Sequence, residues 1–421
     1  MFSKKWKKPV AILMAGALML GLPACGKKKS EVSEGNGDTS TETSVAADGE
    51  EFDVYSDRIK SKTEELNKFL EYYYFDEDPA KQEEKYFDGI MAGLNDPYSV
   101  YYTPEEYARM LEDDSGTYFG IGATVSKNKE TGDVYIVKPI KGSPAYESGL
   151  LPGDVFVKID DTDITSDMEL EEVVGLIRGS RDTVAHLTMY REGEDDFLEF
   201  TVKRADINNV TVEYEMLEGD IGYIEVSQFI ENTPDQFIEA VDDLTGQGAK
   251  ALIVDLRSNP GGLLDAVVEM VDYIVDDNVT VEGADSAGLI MTTKDKNGKV
   301  LEKFNCSDGH KVDLPMAVLV NGNSASASEI YTGVMKDYGL ATIVGTNTYG
   351  KGIVQTIVKL SDGSGIKFTI AKYFTPAGND IHEKGIAPDV EIELDESLYQ
   401  MLEIPHDKDN QLQAAIKEVT K

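Results

Sequence analysis

The stretch Val318-Leu-Val-Asn-Gly-Asn-Ser-Ala-Ser-Ala-Ser-Glu-Ile330 decides how this chain folds and what chemistry it offers. The apolar run from Met316 to Val320 predicts a buried strand, and Asn321-Gly322-Asn323 predicts a turn. Small residues alternating with serine then lead into a predicted helix that begins near Glu329. A strand, a tight turn and a helix start present a hydroxyl beside free backbone N–H groups. Ser326 is therefore a candidate nucleophile, although serines at a helix start also serve as caps.

The composition limits the classes of function. The 421 residues include 78 acidic and 40 basic side chains, a formal net charge of -38. The length predicts two or three domains with sizeable cores. The charge argues against nucleic acid as a partner, because binding DNA or RNA requires basic patches. The four histidines have no metal-ligand spacing, so no metal is expected.

Residues 1–24 have the pattern of an export signal. A basic start precedes the apolar run Val10–Leu22, which is too short for a comfortable membrane span. The segment that follows, Leu22-Pro23-Ala24-Cys25-Gly26, resembles a bacterial lipobox. The resemblance implies that Cys25 is lipidated and anchors an exported chain at the outer face of the cell membrane. The alternative is a secretory signal that is cleaved after Ala24. Residues 25–50 contain few apolar side chains and predict a disordered tether.

Residues 51–114 predict a helical N-terminal region. Two series of apolar residues recur at helical spacing: Ile59, Leu66, Phe69, Leu70 and Tyr73, then Tyr86, Phe87, Ile90, Met91 and Leu94. Thr103-Pro104-Glu105-Glu106 has the pattern of a helix start. The region is richer in tyrosine and phenylalanine than a small helical unit needs. Packing within the chain and a homodimer surface are both open as explanations.

Residues 115–204 predict a β-rich domain with short strands between turns. The predicted strands are Gly122–Val125, Val134–Val137, Val155–Ile159, Val184–Tyr190 and Leu198–Val202, with a helix over Met168–Ile177. Tyr118-Phe119-Gly120-Ile121-Gly122 and the segment from Ser143-Pro144-Ala145 to Gly153-Asp154 resemble the motifs of a bacterial PDZ domain.

The PDZ resemblance implies a domain that binds the C-termini of protein or peptide substrates. The peptide would pair with a sheet edge, and its carboxylate would lie on the backbone N–H groups of Phe119, Gly120, Ile121 and Gly122. Phe119 and Ile121 can alternatively be core residues. Arg178, at the end of the predicted helix, is either a helix C-terminal charge or a contact to the catalytic domain.

Residues 205–395 form the largest predicted unit, an α/β core. Strands are predicted at Ile221–Val226, Ala251–Asp255, Met316–Val320 and Ala341–Val344, and helices at Thr233–Thr245, Gly262–Ile274 and Glu329–Tyr338. This alternation indicates a sheet covered by helices. The turn Asp255-Leu-Arg-Ser-Asn-Pro-Gly-Gly262 is a phosphate cradle, an oxyanion hole or a plain turn. The charged tail, residues 396–421, predicts a helix without chemistry of its own.

The segment from Gly345 to Lys351 reads G-x-x-x-x-G-K, as a phosphate-binding P-loop does. Gly352 stands where that motif needs a serine or threonine for Mg²⁺, and Ile353–Leu360 predicts a strand instead of a helix. Nucleotide binding is therefore disfavoured. Lys351 can instead be the general base for a serine if burial lowers its pKa, with Gln355 orienting its amine. The alternative is a solvated surface lysine.

Three segments together resemble the carboxyl-terminal processing proteases, a family of Ser/Lys peptidases. They are Asp255–Gly262, Asn321–Glu329 and Gly350–Gln355. The resemblance implies Ser326 as the nucleophile, Lys351 as the general base and Gln355 as the residue that orients Lys351. It also implies an oxyanion hole formed by the backbone N–H groups of Gly262 and Ala327.

The function implied by the resemblance is an exported, membrane-anchored serine endopeptidase that needs no cofactor. The PDZ domain would bind the C-terminus of a protein or peptide substrate, and a Ser-Lys dyad would hydrolyse it. A tethered PDZ scaffold that binds C-termini without turnover is the non-enzymatic alternative. A nucleotide-dependent protein is the third class.

Overall fold

The structure is a computed structural model that describes residues 56–73, 79–129, 131–180, 182–194, 196–398, 401 and 404–421. The predicted signal peptide, Cys25 and the predicted tether lie outside the described residues. The chain divides into one compact unit that ends at Glu77 and a second from Asp78 to Lys421. Among the helices in the described ranges, none combines the length and apolar character needed to cross a bilayer.

The described part of the first unit is helix α1, Asp57–Tyr73. Its apolar residues recur at helical spacing, as the sequence predicts. Leu66 and Phe69 are nevertheless 55% and 58% exposed. The homodimer that the aromatic content of this region suggests stays a prediction.

The second unit begins with helix α2 (Pro79–Ala92), strand β1 (Val100–Tyr102) and helix α3 (Pro104–Ser115). The predicted helix start is present, since Thr103 and Glu106 form a capping box at the N-terminus of α3. Strand β1 was not predicted. It pairs with a strand of the core near residue 366, so this N-terminal region contributes directly to the core.

The β-rich domain that follows has its own hydrophobic core. Strands β2 to β9 are Thr117–Gly120, Ala123–Lys127, Val134–Pro139, Val155–Ile159, Thr162–Asp163, Val184–Tyr190, Leu198–Lys203 and Ala205–Asn208, with helices α4 (Pro144–Glu147) and α5 (Leu170–Ile177). Strands β3, β4, β5, β7 and β8 form a sheet in that order, and β6 pairs with β5. Alternate residues of β7 are buried and pack with residues of α5. Strands β2 and β9, which begin and end the domain in sequence, pair with each other.

A mostly parallel sheet forms the centre of the α/β core. Its strands, in spatial order, are β10 (Val212–Leu217), β11 (Ile221–Val226), β12 (Ala251–Asp255), β15 (Met316–Val320), β16 (Ala341–Gly345) and β19 (Val390–Glu391). Only the β10–β11 pair among these is antiparallel. Helices α6 (Thr233–Gly246), α7 (Leu264–Ile274) and α8 (Ala327–Asp337) cover one face, and helix α9 (Asn410–Val419) covers the other.

Burial on both faces explains why these strands read as continuous apolar runs. In β12, Leu252 and Val254 pack with the residues of α6, α7 and α8. Ala251 and Ile253 pack with Leu412 on α9 instead. The predicted helical tail therefore forms one layer of the core, and a short 3-10 turn at Glu396–Leu398 precedes it.

A second sheet lies beside the first. It contains β13 (Leu289–Lys294), β14 (Val300–Asn305), β17 (Ile353–Lys359) and β18 (Gly365–Phe374). The strand order is β1-β18-β13-β14, and β17 pairs with β18. Of these strands only β17 was predicted. The segment that carries Lys351 leads directly into β17, so this sheet holds the candidate base.

Candidate active site

Ser326 lies where β15 passes into α8, one residue before the helix begins. Its backbone has φ 55° and ψ −113°, a conformation that residues other than glycine rarely adopt. Such strain costs on the order of 1–3 kcal/mol and persists only where the surroundings enforce it. A serine on a strained strand-to-helix turn presents its hydroxyl at the end of the sheet, as in a nucleophile elbow.

One buried carboxylate enforces this turn. Glu329 is 0% exposed, and its Oε2 accepts hydrogen bonds from the N–H groups of Ser326 at 2.9 Å and Lys351 at 2.8 Å. Its Oε1 accepts from the N–H of Gly350 at 2.7 Å and from the hydroxyl of Thr348 at 2.6 Å. Glu329 therefore joins the loop of the candidate nucleophile to the loop of the candidate base. Local sequence could not show this, since the second loop comes from another strand.

The same carboxylate occupies the donors that a P-loop would offer to a nucleotide. A P-loop holds phosphate with successive backbone N–H groups. Here the N–H groups of Gly350 and Lys351 already donate to Glu329. The structure therefore gives a physical reason against nucleotide binding at the segment from Gly345 to Gly352.

The serines on either side of Ser326 hold the turn together. The hydroxyl of Ser324 donates to the carbonyl oxygen of Leu256 at 2.7 Å, and that of Ser328 donates to the carbonyl oxygen of Asn259 at 3.0 Å. Both serines are 0% exposed. They attach the serine segment to the neighbouring turn, whereas Ser326 lines a cavity.

That neighbouring turn, Asp255–Gly262, uses most of its own N–H groups. The N–H groups of Arg257, Ser258, Asn259 and Gly261 all have acceptors within the protein. A phosphate cradle needs several free N–H groups at one place. The phosphate-cradle interpretation of this turn is therefore not supported.

Two N–H groups beside Ser326 remain available. Gly262 forms a parallel bridge with Phe229 in which the residues flanking Gly262 make the hydrogen bonds, so its own N–H points away from Phe229. Ala327 is the first residue of α8, where an N–H has no partner within the helix. Neither group has an acceptor among the residues that the structure describes. A Cβ on Gly261 would lie 2.9 Å from the Ala327 nitrogen, so the turn packs closely on the helix start.

One cavity of about 320 Å³ brings the predicted catalytic residues together. Its lining includes Ser326, Lys351, Gln355, Gly262 and Ala327. The first two are thus placed in one cavity by segments that are distant in sequence. An alcohol, an amine and free backbone donors in one cavity suit acyl transfer.

The environment of Lys351 favours its neutral form. Burial lowers the pKa of its ammonium group, and the nearby positive charge of Lys367 lowers it further. The carboxylates of Asp96 and Glu329 act in the opposite direction. The Lys351 Nζ lies 4.6 Å from the centre of the Tyr98 ring. A lowered pKa is the direction of change that a lysine needs in order to act as a general base.

Gln355 is held by a neighbour of Lys351. Its Nε2 donates to the carbonyl oxygen of Tyr98 at 2.8 Å. The predicted role of Gln355 in orienting Lys351 stays a prediction. Sequence reasoning missed Tyr98 as a site residue, because its contact to Lys351 appears only in the folded chain.

The predicted carboxylate-binding loop has free donors as well. Phe119 and Gly120 belong to β2, whereas Ile121 is 1% exposed and packs in the core of the β-rich domain. The carbonyl oxygens of Ile121 and Gly122 accept hydrogen bonds from within that domain. Within the described residues, the N–H groups of Ile121 and Gly122 have no acceptor. Any role of Ile121 in ligand binding would therefore use its backbone.

Arg178 stands at the C-cap of α5. Its Nη1 donates to Asp113 at 2.8 Å and to Glu112 at 3.3 Å, both on α3. The side chain therefore connects the β-rich domain to the N-terminal helical region. Its position agrees with a charge at the helix end, and the contact to α3 is one that the sequence does not predict.

A surface trio of carboxylates lies outside the cavity. Among the described residues, Asp272, Asp277 and Asp308 are the grouping whose ligand atoms come close enough for a metal ion. Asp272 accepts the N–H of Ser307, and Asp277 accepts that of Gly309. These contacts hold a loop, and we assign the trio no metal.

Comparison with known proteins gives two family matches. Residues 220–392 match the family described as Peptidase family S41, and residues 135–191 match the PDZ domain family. This chain carries an S41 peptidase core preceded by a PDZ domain. The fold class predicted from the sequence is confirmed: a helical N-terminal segment, a PDZ domain and an α/β peptidase core.

Two relatives align with most of this chain. A "Probable CtpA-like serine protease" of Staphylococcus epidermidis is 38% identical over 320 residues, which are 76% of this chain and 62% of that protein. One of the same description from Staphylococcus aureus is 37% identical over 345 residues, 82% of this chain and 66% of that protein. The chain therefore spans less than two thirds of the length of these relatives.

A solved structure extends the comparison. A Bacteroides fragilis protein described as a "Putative S41 protease" aligns over 81% of this chain and 90% of its own, with a TM-score of 0.51 and 18% identity. At this identity the likeness concerns the fold alone.

The matched ranges lie within the predicted domains of residues 115–204 and 205–395. All five predicted catalytic and oxyanion-hole residues lie inside the S41 match. The loop from Phe119 to Gly122 lies before the PDZ match. The domain boundaries themselves stay predictions.

Proposed function

We propose that this S41 protein is a serine endopeptidase in which Ser326 is the nucleophile and Lys351 is the general base. The observation that carries the proposal is the single cavity lined by both side chains and by Gly262 and Ala327. The likeness to CtpA-like serine proteases supports peptidase activity.

The proposed reaction is acyl transfer to Ser326 followed by hydrolysis. Neutral Lys351 takes the proton of the Ser326 hydroxyl as the oxygen attacks the peptide carbonyl carbon. The N–H groups of Gly262 and Ala327 stabilise the oxyanion, and one such donor is typically worth about 2.7–4 kcal/mol. The Lys351 ammonium then protonates the leaving amine as the C–N bond breaks. Water, deprotonated by Lys351, releases the acyl group and restores the Ser326 hydroxyl.

The PDZ domain would bring the substrate to this site by its C-terminus. The free N–H groups of Ile121 and Gly122 suit a carboxylate, because charge-assisted hydrogen bonds to an anion are strong. Protein or peptide substrates with an accessible C-terminus are the expected class. Binding at the PDZ domain would raise the local concentration of the chain at the cavity.

Export and anchoring are proposed from the N-terminal sequence. The apolar run and the lipobox-like segment support a lipoprotein at the outer face of the cell membrane, with a secreted protein as the alternative. The mass of the mature N-terminal peptide distinguishes the two, because only a lipoprotein begins with a lipid-modified Cys25.

The test is turnover of an unfolded protein substrate by two variants, Ser326→Ala and Lys351→Ala. Each is expected to lose at least about 10³-fold in kcat, because residues that act as a unit fail together. Ser361→Ala and Lys359→Ala change exposed residues of the same types and serve as matched controls. Both controls are expected to retain full turnover.

Undiminished turnover by either Ser326→Ala or Lys351→Ala would exclude the dyad. A chain that binds peptide C-termini but shows no turnover in its unaltered form would instead be a PDZ scaffold. Turnover that requires ATP and Mg²⁺ would instead support a nucleotide-dependent protein.

A further inference from the structure

The short loop Asn95–Ser99, which we call the 95–99 loop, reaches the candidate base from the N-terminal region. The Tyr98 ring faces the Lys351 Nζ at 4.6 Å. The Tyr98 carbonyl oxygen accepts the hydrogen bond of Gln355 at 2.8 Å, and the two hydroxyls of Tyr98 and Tyr349 lie 3.3 Å apart. One residue of this loop therefore contacts both Lys351 and its predicted partner.

Asp96 fixes the 95–99 loop to the second sheet. Its carboxylate accepts hydrogen bonds from the Thr369 hydroxyl at 2.7 Å, the Ser99 hydroxyl at 2.6 Å and the Tyr98 N–H at 3.0 Å. Strand β1 follows at once and pairs with β18. The loop is thus attached to the second sheet through Asp96 and through β1. These contacts hold Tyr98 against Lys351.

We propose that the 95–99 loop is a positioning element for Lys351, in which Tyr98 holds the amine over its ring and Asp96 provides a fixed negative charge. The proposal rests on the proposed role of Lys351 as general base. A cation over an aromatic face is attracted to it, most strongly when desolvated. The contact therefore favours the ammonium that forms when Lys351 takes the serine proton.

The charges around Lys351 set the sign of the expected pH effects. Asp96 and Glu329 are negative and favour the ammonium, whereas Lys367 is positive and favours the neutral amine. Asp114 lines the same cavity, and burial raises the pKa of its carboxyl while the charge of Lys367 opposes that shift. Burial raises the pKa of the Asp96 carboxyl, but the hydrogen bonds from Ser99, Thr369 and Tyr98 and the charge of Lys351 together lower it, which favours the ionised form. Asp96 would thus act as the carboxylate does in a Ser-His-Asp triad, which stabilises the cation formed in the reaction.

This arrangement has a cost and a benefit. The base must first be neutral, so a nearby carboxylate reduces the neutral fraction at low pH. Once the proton has moved, the same carboxylate stabilises the product of that transfer. Removing Asp96 should therefore move the acid limb of the pH profile and lower the plateau, whereas a merely structural residue would lower the plateau alone.

The test is the pH profile of kcat/KM for the full chain and the variants Tyr98→Leu, Tyr98→Phe and Asp96→Asn. Tyr98→Leu is expected to lower the plateau about tenfold, and Tyr98→Phe, which keeps the ring, should stay within about threefold. Asp96→Asn is expected to move the acid limb to lower pH by about half a pH unit, with a lower plateau.

Lys367→Gln is the matched charge control. It removes a positive charge from the same surroundings, so its acid limb should move to higher pH. Opposite movements in two charge-removing variants cannot result from a general loss of stability. Thermal unfolding of each variant identifies any that fails to fold, and the remaining variants then carry the test.

If the pH profiles of kcat/KM for Tyr98→Leu and Asp96→Asn had the acid limb and the plateau of the unaltered chain, the proposal would be overturned. The dyad would be unaffected by that result. Full activity of Lys351→Ala would instead overturn the proposed function on which it depends. A lower plateau with an unmoved limb in Asp96→Asn would assign Asp96 a structural role alone.

Discussion

The PDZ loop and the turn beside Ser326 have one feature in common. In each, some backbone N–H groups are free while other backbone groups of the same loop form hydrogen bonds within the protein. In the PDZ loop, the carbonyl oxygens of Ile121 and Gly122 are bonded within the domain, and Gly122 has φ 77°. In the S41 core, the residues on both sides of Gly262 are bonded to Phe229, and Gly262 has φ 149°. Both glycines have positive φ, a conformation that glycine adopts without the steric cost that a Cβ would bring.

The difference between the two sites lies in their neighbours. The hydroxyl next to Gly122 belongs to Ser143 and donates to the Gly122 carbonyl oxygen at 2.7 Å. Gly262 instead lines one cavity together with Ser326 and Lys351, and among the described residues the Ser326 hydroxyl has no such bond to a carbonyl oxygen of the turn. The same backbone arrangement thus suits a permanent carboxylate in one domain and a transient oxyanion in the other. Under the proposed function, the neighbouring side chains decide between binding and catalysis.

A substitution of Gly262 is expected to have the largest effect on one of these two sites. In Gly262→Ala the new Cβ would lie 1.9 Å from the Phe229 carbonyl oxygen, so the turn must move and its N–H with it. We expect kcat to fall by about 10²–10³-fold, the effect of losing one oxyanion donor. Peptide binding to the PDZ domain should not change, which calorimetry with a C-terminal peptide measures.

Gly246→Ala is the control, because a Cβ at Gly246 meets nothing within 4 Å. A correctly folded Gly262→Ala protein with full turnover would show that this N–H is not an oxyanion donor.

A smaller effect is expected at the PDZ loop. In Gly122→Ala the new Cβ would lie 2.3 Å from the Ser143 Cβ, and φ 77° is unfavourable for alanine. Affinity for a peptide with a free C-terminus should fall about tenfold, the usual cost of a lost hydrogen bond to a charged group. Cleavage of a peptide too short to reach the PDZ domain should stay at its original rate.

Gly175→Ala, on α5 with open space around it, is the matched control. Equal loss of affinity for a peptide with an amidated C-terminus would show that the loop does not recognise the carboxylate.

The sequence predicted the central sheet of the core well. The bounds of β11, β12 and β15 are those predicted, because each strand is buried on both faces and its apolar run ends at a polar turn. Of the second sheet only β17 was predicted. Strands β13 and β14 pair with each other across a short turn, a hairpin that sequence reasoning missed. Strand β18 also pairs with β1 and β13, which are distant in the chain, and its burial alternates only over its last five residues. No local pattern specifies such pairing.

For the site, local sequence left Ser326 open between a nucleophile and a cap, and Lys351 open between a base and a surface charge. The resemblance to processing proteases supplied their roles. Neither source could supply the hydrogen bonds that join Glu329 to the loop of Lys351, or the contact between the Tyr98 ring and Lys351. Both contacts depend on how sheets and helices come together, which a motif does not encode.

The most direct test of the central claim is the rate at which Ser326 reacts with a fluorophosphonate, measured against pH in the unaltered chain, Lys351→Ala and Lys359→Ala. If neutral Lys351 activates Ser326, the unaltered chain and Lys359→Ala share one profile that rises through a pKa below the ordinary lysine value. Lys351→Ala should then react about 100-fold more slowly. Equal rates in Lys351→Ala and the unaltered chain at every pH would contradict the account.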